Sequence, residues 1–252
     1  MIDTHCHLDF EDFNNDRLEL IEKSKKEMTA IINSGTSYQG NIDSLKLANE
    51  NKGFIYSSFG YHPISSGKLD ENNLNKVINQ MKENMDNIVA IGEVGIDFFY
   101  VKDKSEREKQ KEIFKQFAEL ANEYKKPILI HCRDGERKAF NIIQDYDDIP
   151  EVIFHCFSGS MKTANRIIDK GYYMSVATMI NYSKRHQELF KEISLENILT
   201  ETDSPYLAIE KGIRNEPSNV RLAIEKLAEI KGLTFEEVDK ITENNAKKVF
   251  NI

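Results

Sequence analysis

Apolar runs of four to six residues alternate along the chain with longer segments whose apolar positions recur every three or four residues. Runs of that length read as buried strands, and the segments between them as amphipathic helices. Eight strands are predicted, at Ile2–His7, Thr29–Asn33, Phe54–Phe59, Ile88–Glu93, Ile128–His131, Val152–Phe157, Tyr172–Val176 and Asn197–Thr202. Ser105 with Glu108 three residues on predicts a capping box, followed by Ile113, Phe114, Phe117, Leu120, Ala121 and Tyr124 at helical spacing. Leu74, Val77, Ile78 and Met81 mark a second helix, and a last one opens at Thr234 with Glu237 and runs towards Phe250. Strand and helix in repeated alternation predict a parallel α/β sheet. No Gly-rich phosphate turn follows the first strand, so a closed (β/α)8 TIM barrel with a C-terminal helix is favoured over an open doubly wound sheet. Nothing resembling a linker interrupts the pattern, and residues 1–252 are expected to form one domain.

Composition narrows the setting. The 252 residues are 40% hydrophobic and 30% charged, which suits a chain able to bury a core. No stretch approaches the roughly 20 apolar residues of a membrane span, and the opening MIDTHCHLDF lacks the pattern of a signal peptide, so a cytoplasmic location is expected. Cys6, Cys132 and Cys156 are three scattered thiols, expected to be reduced. The balance of 34 basic and 42 acidic residues, a net charge of -8, argues against a protein that coats nucleic acid through a basic surface. It does not argue against an enzyme whose bound cations supply positive charge only where a phosphate reacts.

The candidate chemistry lies in the histidines. Of the six, His5, His7, His62, His131 and His155 fall at or just past the C-terminal end of a predicted strand, where barrels gather their active-site residues. His5 and His7 are two apart, so a strand presents both on one face, about 6.6 Å apart along it. The same alternation turns Cys6, Cys132 and Cys156 away, towards the helix layer, and disfavours a Cys/His zinc site. Glu93 and Asp203 end the fourth and eighth strands. Taken singly, each of these groups has a plain structural explanation as a hydrogen-bonded residue or a cap. Together His5, His7, Glu93, His131, His155 and Asp203 are more ligands than one tetrahedral ion needs and suit two divalent cations about 3.5–4 Å apart. His62, before Pro63, lacks a same-face partner and is expected to face substrate, while His186, after Lys184 and Arg185, is expected to be a solvated surface residue.

Seven segments then carry a resemblance. Ile2-Asp3-Thr4-His5-Cys6-His7-Leu8-Asp9, Gly60-Tyr61-His62-Pro63, Ile91-Gly92-Glu93-Val94-Gly95-Ile96-Asp97, Pro127 to Arg133, His155 to Ser160, Glu201 to Leu207 and Arg214-Asn215-Glu216-Pro217 resemble, in order, the TatD family of metal-dependent deoxyribonucleases among the amidohydrolase-like barrels. The resemblance implies a TIM barrel with His5, His7, Glu93 and Asp203 around one metal, Glu93, His131 and His155 around the other, and Glu93 as the bridge. Phe98, where the family often has Tyr, is a mild departure. The implied activity is hydrolysis of DNA phosphodiesters, exonucleolytic, by water activated on two ions of Mg, Mn or Zn, with DNA a substrate rather than a structural partner. Asp203 and Glu93 are the candidate catalytic residues. His62, Arg133 and Arg214 are candidates to position phosphate oxygens, and Tyr206 to stack on a base; structural ion pairs are the plain alternative for the two arginines. Two other classes remain. A hydrolase of a small amide, lactone or phosphoester could use the same binuclear site, although some such relatives bridge their metals with a carboxylated lysine and position 93 is Glu. A non-enzymatic metal-binding barrel would be expected to have lost ligands.

Overall fold

The computed structural model describes residues Met1–Ile252. Eight strands follow one another round a single sheet in the order β1-β2-β3-β4-β5-β6-β7-β8, each parallel to its neighbour. They are β1 (Ile2–Cys6), β2 (Ala30–Ser34), β3 (Ile55–Phe59), β4 (Ala90–Asp97), β5 (Ile128–Arg133), β6 (Val152–Phe154), β7 (Tyr173–Val176) and β8 (Ile198–Thr200). β1 and β8 meet at a seam. There the Asp203 N–H donates to the His5 carbonyl (3.0 Å) and the His7 N–H to that of Ser204 (2.8 Å). Asp3, fully buried, holds the same seam by accepting from Thr202 N–H (2.9 Å) and Thr202 Oγ (2.5 Å). This is the expected TIM barrel, and none of its helices is long and apolar enough to cross a membrane.

Alternation along the strands sorts two apolar layers. Ile31, Ile55, Ile91, Ile128, Val152 and Ile198 face outward and pack with helical residues such as Ile21, Phe114, Phe117, Ile143, Ile167 and Ile224. Ile2, Ala30, Ile32, Ala90, Leu129, Ile153, Tyr173 and Leu199 face inward near the strand beginnings, where Ala246, Val249 and Phe250 of the last helix cover them. That helix, Phe235–Phe250, starts with the predicted capping box between Thr234 and Glu237.

Three local expectations need correcting. The helix predicted to start at the Ser105–Glu108 pair runs Lys104–Tyr124 and is capped by Asp103, whose carboxylate accepts from Glu106 N–H (2.9 Å). β4 continues four residues beyond its predicted end. Gly95 lets it lie against β5, since a Cβ there would sit 2.0 Å from the His131 carbonyl oxygen. β6 and β8 stop early because Cys156 (φ 45°) and Asp203 (φ 56°) turn the chain into the left-handed region, which sequence pattern does not reveal for a Cys or an Asp.

Candidate metal centre

The C-terminal ends of the strands converge on a cluster of buried ionisable side chains. His5 on β1 is fully buried and His7, one residue past its end, is 3% exposed. The His7 Nδ1–H donates to the Ser34 carbonyl (2.8 Å); a carbonyl only accepts, so the neutral ring offers a lone pair at Nε2. His5 Nδ1 lies 3.2 Å from Ser34 Oγ, itself held by Ser58 Oγ at 3.0 Å. The two Nε2 atoms lie 3.2 Å apart and face two carboxylate oxygens. Glu93 Oε2 is 3.5 and 3.6 Å from His5 and His7, and Asp203 Oδ1 is 3.7 and 3.5 Å from them. Donors about 2.1 Å from one cation in a tetrahedron stand about 3.4 Å from one another. These donor separations, 3.2–3.7 Å, fit one divalent ion.

The other oxygen of Glu93 faces a second set. Oε1 is 2.7 Å from His131 Nδ1, 3.3 Å from His155 Nε2 and 3.4 Å from His62 Nε2. On both sides of Glu93 three potential ligand atoms come within 4.8 Å of one another, those of His5, His7 and Glu93 and those of His62, Glu93 and His131. Gly60 makes room for Glu93, since a Cβ there would lie 2.2 Å from the Glu93 nitrogen. His62 thus comes closer to the cluster than the sequence suggests. Its Nδ1 accepts from the Ile64 N–H (3.3 Å), so the neutral ring carries its proton on Nε2 and presents a donor, not a lone pair.

Two further carboxylates, not among the ligand candidates, hold the rings from behind. Asp97 Oδ2 lies 3.0 Å from His131 Nε2, and Glu201 Oε1 lies 3.0 Å from His155 Nδ1. Carboxylates behind imidazoles orient metal-binding histidines. A signal for both existed: Asp97 shares a strand with Glu93, and Glu201 precedes Asp203 by two residues.

Burial and charge shape the titrations. Burial would lower the His7 imidazole, but Asp203 and Glu93 outweigh it and hold it at about 9. Burial likewise opposes protonation of His155, and Glu201 and Glu93 overcome it. Burial and the neighbouring His155 keep His5 below its ordinary value. Glu93 stays well below the carboxylate range despite burial, through His62 and His155, and Asp203 stays low through His7 and His155.

Above the cluster opens a cavity of about 740 Å³ lined by His7, His62, Glu93, His131, His155 and Asp203, with Arg133, Tyr206 and Tyr100 among its outer residues. The Arg133 guanidinium stacks over exposed Phe99 (4.0 Å) and Tyr100 (5.0 Å). Tyr206 is 54% exposed, edge-on to Phe10 and His7. Arg214 is not brought to this cavity. It forms a two-pronged ion pair with Asp16 (2.8 and 2.6 Å) and lies over Phe13 (4.5 Å), which gives it a structural place. Cys6 and Cys132 are buried in the outer layer as expected. Cys156 is not: its positive φ breaks the alternation, and its Sγ meets Met179 Sδ (3.5 Å) beside a small recess of the mouth. His186 is also no surface residue, being 6% exposed between Ser158 and Ser183.

An eight-stranded barrel with clustered metal-binding side chains at its mouth defines a class, the metal-dependent TIM-barrel hydrolases. Residues 2–251 match the family described as TatD related DNase. The chain is 43% identical over 249 residues to an uncharacterized metal-dependent hydrolase of Methanocaldococcus jannaschii, covering 99% of this chain and 96% of that protein. It is 30% identical over 259 residues to the human deoxyribonuclease TATDN3, covering 99% and 94%. Among solved structures, a TatD homologue of Escherichia coli superposes with a TM-score of 0.91 at 28% identity, covering 100% and 98%. The chain belongs to the TatD family of metal-dependent hydrolases.

Proposed function

We propose that the protein is a deoxyribonuclease that hydrolyses DNA phosphodiesters from an end, using two divalent cations. The observation that carries the reading is Glu93, whose two oxygens face two different sets of imidazoles. His5, His7, Glu93 and Asp203 would hold one cation and Glu93, His131 and His155 the other. Four carboxylates, Glu93, Asp97, Glu201 and Asp203, lie in or directly behind the cluster, and two dications match their formal charge. When bound, such ions lower the pKa of a water and stabilise charge on the phosphoryl oxygens.

The chain's own groups divide the remaining work. Asp203 faces His5 and His7 through Oδ1, and its side chain is 18% exposed towards the mouth. Its Oδ2 accepts the proton of the attacking water. His62 Nε2–H and the Arg133 guanidinium donate to non-bridging phosphate oxygens. Tyr206 offers a face on which the terminal base stacks. The human relative is named a deoxyribonuclease, which supports DNA as substrate.

A nuclease assay on labelled single- and double-stranded DNA and RNA with Mg, Mn and Zn tests this, with elemental analysis of the same protein. Nucleotide release from DNA with close to two metal equivalents is expected, and Asp203→Asn should lower kcat by about 10²–10⁴. Metal uptake below one equivalent at saturation sinks the two-cation site. Full metal loading without DNA cleavage moves the substrate to a small ester or amide.

A further inference from the structure

One buried histidine stands outside the cluster. His186 lies in the first turn of the helix Lys184–Glu192, among exposed Lys184, Arg185 and Glu188. Its Nδ1 is 2.7 Å from Ser183 Oγ and its Nε2 is 2.9 Å from Ser158 Oγ. The Ser158 hydroxyl donates to the Cys156 carbonyl (3.0 Å), so its oxygen accepts from His186 and the neutral ring carries its proton on Nε2. Nδ1 then accepts from the Ser183 hydroxyl.

This chain of hydrogen bonds ends on the carbonyl of Cys156, the residue that follows His155. Cys156 has a φ of 45°, a conformation that persists only where the surroundings hold it. Both sides of the residue are held. Its N–H donates to Ser175 Oγ (3.0 Å), and Ser175 donates to Glu201 Oε2 (2.5 Å), the carboxylate behind His155. Its carbonyl is held by Ser158, which His186 backs. Arg185 adds a donor to the Ser158 carbonyl. The turn so fixed walls a recess of about 130 Å³ that borders His131, His155 and Asp203.

We propose that His186 is a positioning residue that acts through Ser158 to fix the turn at Cys156, and with it the aim of the His155 imidazole. The inference rests on the two-cation reading, because a cation is what His155 would be aimed at. Both serine oxygens can accept, so protonation of the ring leaves the chain of bonds intact; the device is one of geometry, not of pH.

Cobalt(II) titrated into the full chain is the probe, since its visible absorption reports ligand geometry. His186→Ala is expected to weaken cobalt binding about tenfold, the low end of the range for groups behind metal ligands, and to alter the absorption band. His186→Gln keeps a donor where Nε2 was and is expected to restore both. Ser158→Ala should reproduce the alanine variant, and the double variant should be no worse than either alone. If His186→Ala does not fold, Ser158→Ala and His186→Gln carry the test. Wild-type affinity and spectrum in Ser158→Ala, or a glutamine variant as impaired as the alanine one, overturns the positioning role and leaves the metal centre standing. A wild-type protein that takes up no cobalt overturns both.

Discussion

The two ends of the barrel are built from the same eight strands and obey opposite rules. At the strand beginnings, Ile2, Ala30, Leu129, Ile153 and Leu199 form a dry plug under Val249 and Phe250. At the strand ends, five histidines and four carboxylates are packed together, most of them buried, with only His62, His131 and Asp203 partly open to the cavity. Burying such groups costs free energy unless partners or metal compensate. The difference teaches that the plug supplies stability and the mouth draws on it, so substitutions at the two ends should separate cleanly.

The largest separation is expected from Glu93→Ala. It removes the one group shared by both sets of imidazoles, and should abolish hydrolysis and leave less than one tightly bound metal equivalent by elemental analysis. Without metal the fold should persist with a lower thermal midpoint, because the buried imidazoles that Glu93 compensates lose their partner; a collapse of the fold would break the comparison. Phe250→Ala should do the reverse, costing about 3–5 kcal/mol in denaturant unfolding with metal affinity unchanged. Glu201→Gln keeps the shape behind His155 but weakens its hold on the ring. Metal affinity should fall about 10–100-fold by titration calorimetry, while the metal-free protein, in which buried His155 loses a charge partner, should stay folded with a lower unfolding midpoint.

The smallest effect sharpens the plug end. Glu243 on the last helix pairs with the Met1 amino group (2.6 Å) and Lys247 (2.6 Å). Despite burial, which would raise it, these partners lower its carboxyl from 4.5 to about 2. Its depressed value makes the contribution complete above pH 4.5 and lost as pH falls through about 2. Glu243→Gln should therefore lower the thermal midpoint by about 2–4 °C at neutral pH, after allowance for solvent screening, and by nothing near pH 2. An equal loss at both pH values would show that packing, not charge, holds that contact.

The barrel and most of the cluster were legible because both obey short periods. His5 and His7 share a strand face by alternation, and the ligand candidates follow strands whose apolar runs stand out. What stayed hidden depends on distance in sequence or on backbone angles. Nothing in Arg214 announces a partner at Asp16, 198 positions away. Asp103 caps its helix two residues before a Ser–Glu pair that satisfies the same pattern. His186 sits among charged neighbours and reads as solvent-facing, although Leu189 and Phe190, three and four residues on, are buried with it and marked the face.

The seam between β1 and β8 has a consequence in time as well as in space. His5 and His7 come from the first strand and Asp203 from just past the last, joined there by Asp3 and Thr202. In a chain emerging from the ribosome Glu93 follows the two histidines within a hundred residues, but Asp203, their second carboxylate neighbour, comes some two hundred residues after them. If Asp203 takes the proton of the attacking water as proposed, hydrolysis would be withheld from every incomplete chain until synthesis has passed the eighth strand.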